Sequence, residues 1–479
     1  MTQAGAVSGG PETPSVKRAT ALPWQLVRKA SRRIGWGIAD QGMSSITNFA
    51  VNIYIARTLG AAEYGAFSLA YVTYAFILNG SRGLSTDPLL VRFSGVPIPA
   101  WRRAVASSTG TSVIVGTVSG LVVVGAAMLM HGPSRLAFLA LGLTMPGLML
   151  QDSWRFAFFA AGRGVHAFLN DTIWAVVLVP VLILLNHSGH PSVFWYLIAW
   201  GGAATVGAAI GSLQAKILPR PLEIRQWLSR HRDLGPRYML EGTANSGSTQ
   251  LRNYGVGLLL GLATLGYVQA ASTLMGPFMV VFLGMGLVTL PEAARVLRRS
   301  PRHLPLFCAA VSAGLTLAGV IWTVAVLVAL PRGLGHLMLG AIWRPTYPLV
   351  LPLAISILGG CVSAGAGAGL HALGAAKHSL RSMVESSVLY LICGLVGTYF
   401  WKVTGTMDGA AIAGVLGSGI FWWHFFVAFR DYNKKRATNP TVQLRPRAGR
   451  HRRQAPVPFT APTPASASPG RPGRSGADK

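Results

Sequence analysis

Apolar segments of about 20 residues recur along most of the chain, and they constrain the fold more than any other feature. Each segment is long enough to cross the hydrocarbon core of a bilayer as an α-helix. Only 12% of the 479 residues are charged, whereas soluble domains usually carry about 25%. No long polar block remains in which a separate soluble domain could fold. The sequence therefore predicts an all-α integral membrane protein.

We predict twelve transmembrane helices from these segments. The fourth is the least regular, because Asp152, Arg155 and Arg163 crowd its end, and a split or extended helix is compatible with that pattern. The predicted spans lie at approximately 35–57, 63–84, 106–130, 135–154, 168–186, 192–213, 239–262, 264–290, 305–330, 346–370, 382–401 and 407–429.

The distribution of basic residues predicts the sidedness of the bundle. The chain has 42 Lys and Arg against 14 Asp and Glu, a net charge of +28. Of the basic residues, 36 fall on the side that holds both termini and five on the other side. By the positive-inside rule the rich side is cytoplasmic, so both termini are predicted to be cytoplasmic. Because this charge lies beside the membrane, we expect no nucleic-acid partner and instead contacts of the basic termini with anionic lipids.

Composition and charge divide the chain into five parts. Residues 1–34 form a cytoplasmic tail that ends in a basic interfacial helix over 22–36, and the first 20 residues lack the apolar core of a signal peptide. A six-helix lobe is predicted at 35–213, a basic cytoplasmic linker at 214–238 and a second six-helix lobe at 239–429. Residues 430–479 are predicted to be a disordered, basic, proline-rich tail.

The two halves share a weak repeat at an offset of 201 residues. It pairs Asp40 with Glu241, and it aligns small residues such as Gly65 with Gly266. Coincidence among small residues is the alternative explanation. Since six is an even number, two six-helix repeats share one membrane orientation, and transporters built in this way hold substrate between their halves.

Arg252 lies near the middle of the seventh predicted span. A charge at this depth costs at least about 2.5–3.5 kcal/mol on insertion scales, so it should face a watery cavity or a partner. We interpret it as an anion-binding group in a central cavity. The alternatives are a structural pair with Asp40 or Glu241, and extension of the side chain to the interface.

The first span of each half is unusually polar. Asp40 opens the polar run of the first half and Glu241 that of the second, and one face of each helix is predicted to line an aqueous cavity. Hydrogen bonding between helices is the alternative. With Arg252, the candidate substrate-binding residues are Asp40, Glu241, Asn48, Asn245 and Gln250.

The sequence lacks the usual signals of metal binding, of nucleotide hydrolysis and of zinc-protease chemistry. The three cysteines, Cys308, Cys361 and Cys393, fall within apolar segments without metal-ligand spacing. The chain has no GxxxxGK[ST] motif and no HExxH motif. We therefore predict no catalytic residues, no metal and no cofactor, and a protein that is not an enzyme.

Residues 56–70, ARTLGAAEYGAFSLA, join the first two predicted spans. They resemble the AR-x-LG-x-x-x-YG-x-F signature of the polysaccharide (O-antigen, lipid-linked oligosaccharide) flippases of the multidrug/oligosaccharidyl-lipid/polysaccharide (MOP) exporter superfamily. The stretch Pro345–Pro348, with Ala372–Gly374 and Lys377, also resembles this family. At the level of motifs the resemblance covers about 60 residues, and topology extends it along the chain.

The resemblance implies a V-shaped, MATE-like bundle of two lobes in a bacterial plasma membrane. It implies transport of a polyprenyl-pyrophosphate-linked saccharide from the inner to the outer leaflet, with Arg252 near the pyrophosphate and polar groups of spans one and seven near the sugars. A polysaccharide polymerase or glycosyltransferases are candidate partners, and the Ala-, Gly- and Arg-rich composition suggests a high-GC bacterium. Two alternatives stay open: a multidrug or cation antiporter of the same superfamily, and a membrane scaffold for a saccharide-assembly complex.

Overall fold

The computed structural model describes residues 24–189 and 191–438, without the side chains of residues 24–34, 38, 241–246, 287 and 288. All regular elements in this part of the chain are helices, joined mostly by short turns. They are α1 (Trp24–Thr58), α2 (Ala61–Leu84), α3 (Thr86–Phe93), α4 (Ile98–Met128), α5 (Gly132–Ala160), α6 (Gly164–His187), α7 (Val193–Ala215), α8 (Ile224–Arg230), α9 (Gly235–Leu260), α10 (Leu262–Leu274), α11 (Gly276–Arg299), α12 (Leu304–Ala329), α13 (Gly335–Leu339), α14 (Trp343–Ala372) and α15 (Ala376–Thr438).

The described helices cover the predicted spans, with three informative differences in their bounds. The basic segment 22–36 is not separate from the first span, because α1 is continuous from Trp24. α5 continues through Asp152 and Arg155 as far as Ala160, so the fourth predicted span is extended rather than split. The eighth predicted span consists of α10 and α11, with Met275 at their junction.

Eight segments of the described chain are long and apolar enough to cross a membrane. They are Ala61–Phe93, Ile98–Met128, Gly132–Ala160, Gly164–His187, Val193–Ala215, Gly276–Arg299, Pro301–Ala372 and Ala376–Thr438. The last two have 72 and 63 residues, far more than the roughly 20 needed for one crossing. The last is interrupted at Trp401 and Lys402, where the φ of Lys402 is 55°. The protein is thus a multi-pass membrane protein, and the count of twelve crossings stays a prediction.

Packing within each half of the bundle is extensive, and the halves also meet directly. In the first half α5 packs against α4, α6 and α7, and in the second half α14 packs against α11 and α12. Between the halves α2 runs along α9 and α10. The hydroxyls of Thr73 on α2 and Tyr254 on α9 are 2.7 Å apart. The halves are therefore in contact near the middle of α2 and also near its two ends, where Gly65 lies against Leu262 and Gly83 against Met239.

The 214–238 linker packs against the first half and is held there by hydrogen bonds and an ion pair. The indole of Trp227 on α8 is buried and donates to the Leu84 carbonyl at 3.0 Å. Arg92 on α3 forms an ion pair with Asp233 at 2.6 Å. Glu223 accepts hydrogen bonds from Ser107 and from Arg220, and these bonds lower the pKa of its carboxyl below the usual range. The basic linker is thus a docked element rather than a free connection.

Candidate functional site

Arg252 is buried between α9 and α15, with a side chain only 2% exposed. Its guanidinium donates a hydrogen bond to the Tyr390 hydroxyl and lies 4.8 Å from the centre of that ring. A second nitrogen donates to Asn253 Oδ1 at 3.3 Å. Nε is buried and has no hydrogen-bond partner among the described atoms. Among the described residues, the partners of this cation are all neutral.

The sequence around Arg252 explains why it points into the second half. On a helix with 3.6 residues per turn, positions 252 and 254 lie on nearly opposite faces. Tyr254 contacts α2, so Arg252 faces away from α2 and towards α15. Gly394 provides the necessary space, since a Cβ at this position would lie 3.0 Å from Cδ of Arg252.

The charge of Arg252 is not compensated by a carboxylate of the described residues, none of which forms a salt bridge with it. An unpaired buried ion costs several kcal/mol even after relaxation. A desolvated cation–π contact returns only about 2 kcal/mol, and a neutral hydrogen-bond partner adds roughly 1.5–3 kcal/mol. The guanidinium thus has no counter-charge among the described residues, and an anion admitted between α9 and α15 would supply it.

The two partly buried arginines of the first half, Arg82 and Arg155, are compensated. Arg82 on α2 binds the Asp152 carboxylate on α5 with two parallel hydrogen bonds, of 2.9 Å from Nε and 2.6 Å from a terminal nitrogen. The same guanidinium lies 4.9 Å from the centre of the Phe156 ring. A planar guanidinium matches a carboxylate in this two-bond geometry, so this ion pair ties α2 rigidly to α5.

Two further ion pairs join α5 to α1 and α6. Arg155 on α5 contacts the Asp40 carboxylate on α1 at 2.6 Å and the Asp171 carboxylate on α6 at 3.5 Å. Gln151 donates to Asp171 at 2.9 Å, and Asn170 donates to the Gly207 carbonyl on α7 at 2.7 Å. These contacts hold α1, α5, α6 and α7 together around a polar cluster inside the bundle.

The charged residues of these ion pairs form what we call the first-half cluster, which has one more acid than base. Asp40, Asp152 and Asp171 are balanced by Arg82 and Arg155, which leaves a formal charge of −1 if every group is ionised. Asp40 is fully buried, and its Oδ1 has no hydrogen-bond partner among the described atoms. A buried excess charge is costly, so this cluster can take up one proton or one monovalent cation.

The structure distributes the predicted site residues over two places. Asp40 lies in the first-half cluster, where it pairs with Arg155 rather than with Arg252. Asn48 is partly buried and donates to the Ser44 carbonyl of its own helix at 2.8 Å. Oε1 of Gln250 is buried with no partner among the described atoms. The side chains of Glu241 and Asn245 lie outside the described residues. The assignment of all six to a substrate cavity stays a prediction.

Sequence reasoning missed four members of the charged cluster as site residues: Arg82, Asp152, Arg155 and Asp171. A signal was present, because Asp152 and Arg155 stand three residues apart and so share one face of any helix that contains both. The fourth predicted span ends at residue 154, which places Arg155 with the loop residues. Since α5 continues to Ala160, both side chains are inside the bundle.

A third cluster of ionisable side chains lies where the two parts of α15, before and after Lys402, come together. Glu385 Oε2 is 3.1 Å from Nε2 of His424, and Nδ1 of His424 is 3.2 Å from Nδ1 of His378. Within the described residues no group of three or more His, Cys, Asp or Glu has a geometry that could hold a metal ion.

Solved structures of membrane transporters share this fold. The inward-facing conformation of a multidrug resistance MATE family transporter of the MOP superfamily has a TM-score of 0.65 and 13% identity, covering 82% of this chain and 96% of that one. The lipid II flippase MurJ in an inward closed conformation has a TM-score of 0.60 and 12% identity, covering 86% of this chain and 94% of that one. A MATE transporter in complex with MaL6 has a TM-score of 0.54 and 12% identity, over 85% and 97% of the two chains.

No protein-family model and no curated protein matches the sequence. At 12–13% identity the likeness concerns the fold alone. This chain therefore has the fold of MOP-superfamily transporters.

Proposed function

We propose that the protein is a flippase that moves a polyprenyl-pyrophosphate-linked oligosaccharide from the inner to the outer leaflet of a bacterial plasma membrane. The observation that carries this proposal is the uncompensated charge of Arg252. Its guanidinium is buried among neutral groups, and in such a place an anion gains more than it would at a surface arginine. A pyrophosphate supplies that anion, and the fold is shared with a lipid II flippase.

The polar side chains of α1 and α9 suit the saccharide. Asn48 and Gln250 offer amide groups of the kind that bind sugar hydroxyls, and the buried Oε1 of Gln250 has no partner among the described atoms. Glu241 and Asn245 stay in the proposal as residues of the same helix as Arg252. A polymerase or glycosyltransferases, and anionic lipids bound to the basic termini, remain proposed partners.

The test is deletion of the gene followed by analysis of lipid-linked saccharides. The deletion strain should accumulate the intermediate in the inner leaflet, and wild-type protein should clear it. Arg252→Ala should clear it at less than about one tenth of the wild-type rate, because a hydrogen bond to a charged group contributes roughly 1.5–3 kcal/mol. The matched control is Arg135→Ala, which removes an exposed arginine. Normal surface glycan in the deletion strain, with no accumulated intermediate, contradicts the proposal.

A stability measurement separates a binding role of Arg252 from a structural role. Arg252→Met keeps the aliphatic stem and removes the charge. Because no carboxylate of the described residues pairs with Arg252, this variant should unfold at the same temperature as the wild type or a higher one. A marked fall in the midpoint of thermal unfolding means that Arg252 is a structural residue.

The excess acid of the first-half cluster favours a second candidate function, a multidrug or cation antiporter. Asp40 has one buried oxygen without a partner among the described atoms, and a multidrug resistance MATE family transporter shares this fold. Loss of transport in Asp40→Asn, together with full transport in Arg252→Ala, favours this candidate. The reverse pattern favours the flippase, because only an anionic substrate needs the Arg252 charge.

A further inference from the structure

A cavity of about 340 Å³ lies at the end of α11, on the side of the bundle predicted to be cytoplasmic. It is formed where the last two turns of α11 meet the short 3₁₀ turn Pro301–His303. The lining residues are Glu292, Arg295, Val296, Arg299, Ser300 and His303. None of them belongs to the sites described above.

The lining is basic after its internal ion pair is taken into account. Arg295 contacts the Glu292 carboxylate one turn away, so these two charges largely neutralise each other. Arg299 is exposed, and no hydrogen-bond acceptor among the described residues pairs with it. His303 Nδ1 is 2.8 Å from the Ser300 hydroxyl, which orients the imidazole and leaves its other nitrogen for a ligand. The cavity therefore presents an uncompensated guanidinium next to an oriented imidazole, a combination that suits a phosphate group.

The size of the cavity indicates more than a lone inorganic ion. Sites for small molecules usually occupy about 300–1,000 Å³, whereas one water occupies about 30 Å³ of liquid. The cavity of about 340 Å³ falls at the lower limit of that range. It can accept a phosphate together with the glycerol or sugar that the phosphate carries.

Exposed apolar side chains on the next helix indicate an amphiphile. Leu306 on α12 lies three residues after His303 and is 69% exposed. Leu317, Ile321 and Val324 are also exposed, and their spacing from Leu306 places all four within about 60° on one face of α12. This apolar face begins beside the basic cavity and continues along the helix, in the order in which a lipid presents its headgroup and its acyl chain.

We propose that this cavity binds the phosphate of an inner-leaflet lipid, with Arg299 and His303 as its ligands and the acyl chain on the apolar face of α12. The cavity is separate from Arg252, so the inference does not depend on the transported substrate. Either a phospholipid or a polyprenyl diphosphate supplies the same phosphate chemistry. Glu292 opposes binding through its negative charge and limits the affinity.

The test is lipid binding to the full-length protein in nanodiscs made of phosphatidylcholine. The probes are phosphatidylglycerol, undecaprenyl diphosphate and inorganic phosphate, and binding is measured by native mass spectrometry. The two lipids distinguish a phospholipid from a polyprenyl diphosphate, and stronger binding of either supports the site. Binding of inorganic phosphate without either lipid overturns it.

Variants on the same helix separate the cavity from general surface charge. Arg299→Gln should weaken lipid binding at least tenfold, whereas Glu292→Gln should strengthen it. The matched control is Arg298→Gln, which removes a neighbouring exposed arginine that does not line the cavity. Equal weakening by Arg298→Gln and Arg299→Gln means that only surface charge attracts the lipid, and it overturns the proposal. Arg252→Met should leave this binding unchanged even if it abolishes transport, so a failure of the flippase proposal is distinguishable.

Discussion

Gly65 on α2 and Gly266 on α10 pack backbone against backbone between the two halves of the bundle. A Cβ on Gly266 would lie 3.1 Å from the Gly65 nitrogen, and a Cβ on Gly65 would lie 1.7 Å from the Leu262 carbonyl oxygen. The two glycines are 201 residues apart, the offset of the predicted repeat. Contact between equivalent positions is expected where a two-fold axis passes between repeats. Only glycine permits helices to approach so closely.

Gly65→Ala and Gly266→Ala should each destabilise the contact between the halves. Overpacking usually costs about 1–3 kcal/mol, and the clash at Gly65 is with backbone, which cannot rotate away. The midpoint of thermal unfolding in detergent should fall, more for Gly65→Ala than for Gly266→Ala. The control is Gly125→Ala in α4, where a Cβ meets nothing within 4 Å and where alanine should be neutral or stabilising. Unchanged midpoints in the first two variants contradict the packing described.

Asp152→Asn should destabilise the protein, because it leaves the partly buried Arg82 charge without its carboxylate. Breaking a fully buried ion pair from one side costs about 3–5 kcal/mol, and the partial exposure of Arg82 places the expected loss towards the lower end of that range. Adding Arg82→Met should recover part of that loss, since the uncompensated charge is then removed. Asp233→Asn is the control, because the Arg92–Asp233 pair is exposed and such pairs contribute about 0–1 kcal/mol. Thermal unfolding of the four proteins tests this, and equal losses in both single variants are the contrary outcome.

Gly394→Ala should impair transport, because it displaces the guanidinium of Arg252. The new Cβ would lie 3.0 Å from Cδ and 3.2 Å from Cγ of Arg252, so the guanidinium must shift by a few tenths of an ångström. Losing part of a charge-assisted hydrogen bond to the substrate corresponds to a reduction of up to about tenfold. Gly419→Ala, also in α15 but with nothing within 4 Å, should transport like the wild type. Clearance of the lipid-linked intermediate by the two variants is the measurement.

Docking of the linker should weaken in acid because of His231. Its side chain is buried against Trp227, and burial lowers the pKa of its imidazole below the ordinary value of 6.5. Arg92 and Arg230 lower this pKa further, whereas Asp233 and the Trp227 carbonyl oppose the shift. In the undocked linker the His231 imidazole therefore binds a proton as the pH falls through about 6.5. In the docked linker the same imidazole stays neutral at that pH. Docking is fully stabilised above that pH and is lost progressively below it.

The measurement for this prediction is hydrogen–deuterium exchange of residues 224–234 between pH 7.5 and pH 5, corrected for the intrinsic rate. Protection in the wild type should fall across this interval. In His231→Phe the ring is kept and the titration is removed, so protection should stay constant. The same pH dependence in both proteins means that another group is responsible.

Much of the fold follows from local sequence, and the errors in the bounds have local causes. Apolar length alone placed helices where the structure has them, and the break at Lys402 falls where the sequence predicts a turn between the last two spans. The fourth predicted span ends at 154, short of the Ala160 end of α5, because Asp152 and Arg155 crowd that end with charge and their partners are not visible in the local sequence. Their partners Arg82 and Asp40 are 70 and 115 residues away, and no periodicity within a helix reveals such a pairing.

By itself the sequence determined the class of protein, a bundle of membrane helices with its polar residues concentrated in α1 and α9. The physical reason is that apolar length and the need to satisfy every backbone hydrogen bond in lipid are properties of each segment alone. Only the tertiary structure decided which charges inside the bundle are neutralised. Arg82 and Arg155 meet carboxylates of other helices, whereas Arg252 meets only neutral groups among the described residues. That difference depends on which faces of distant helices pack together.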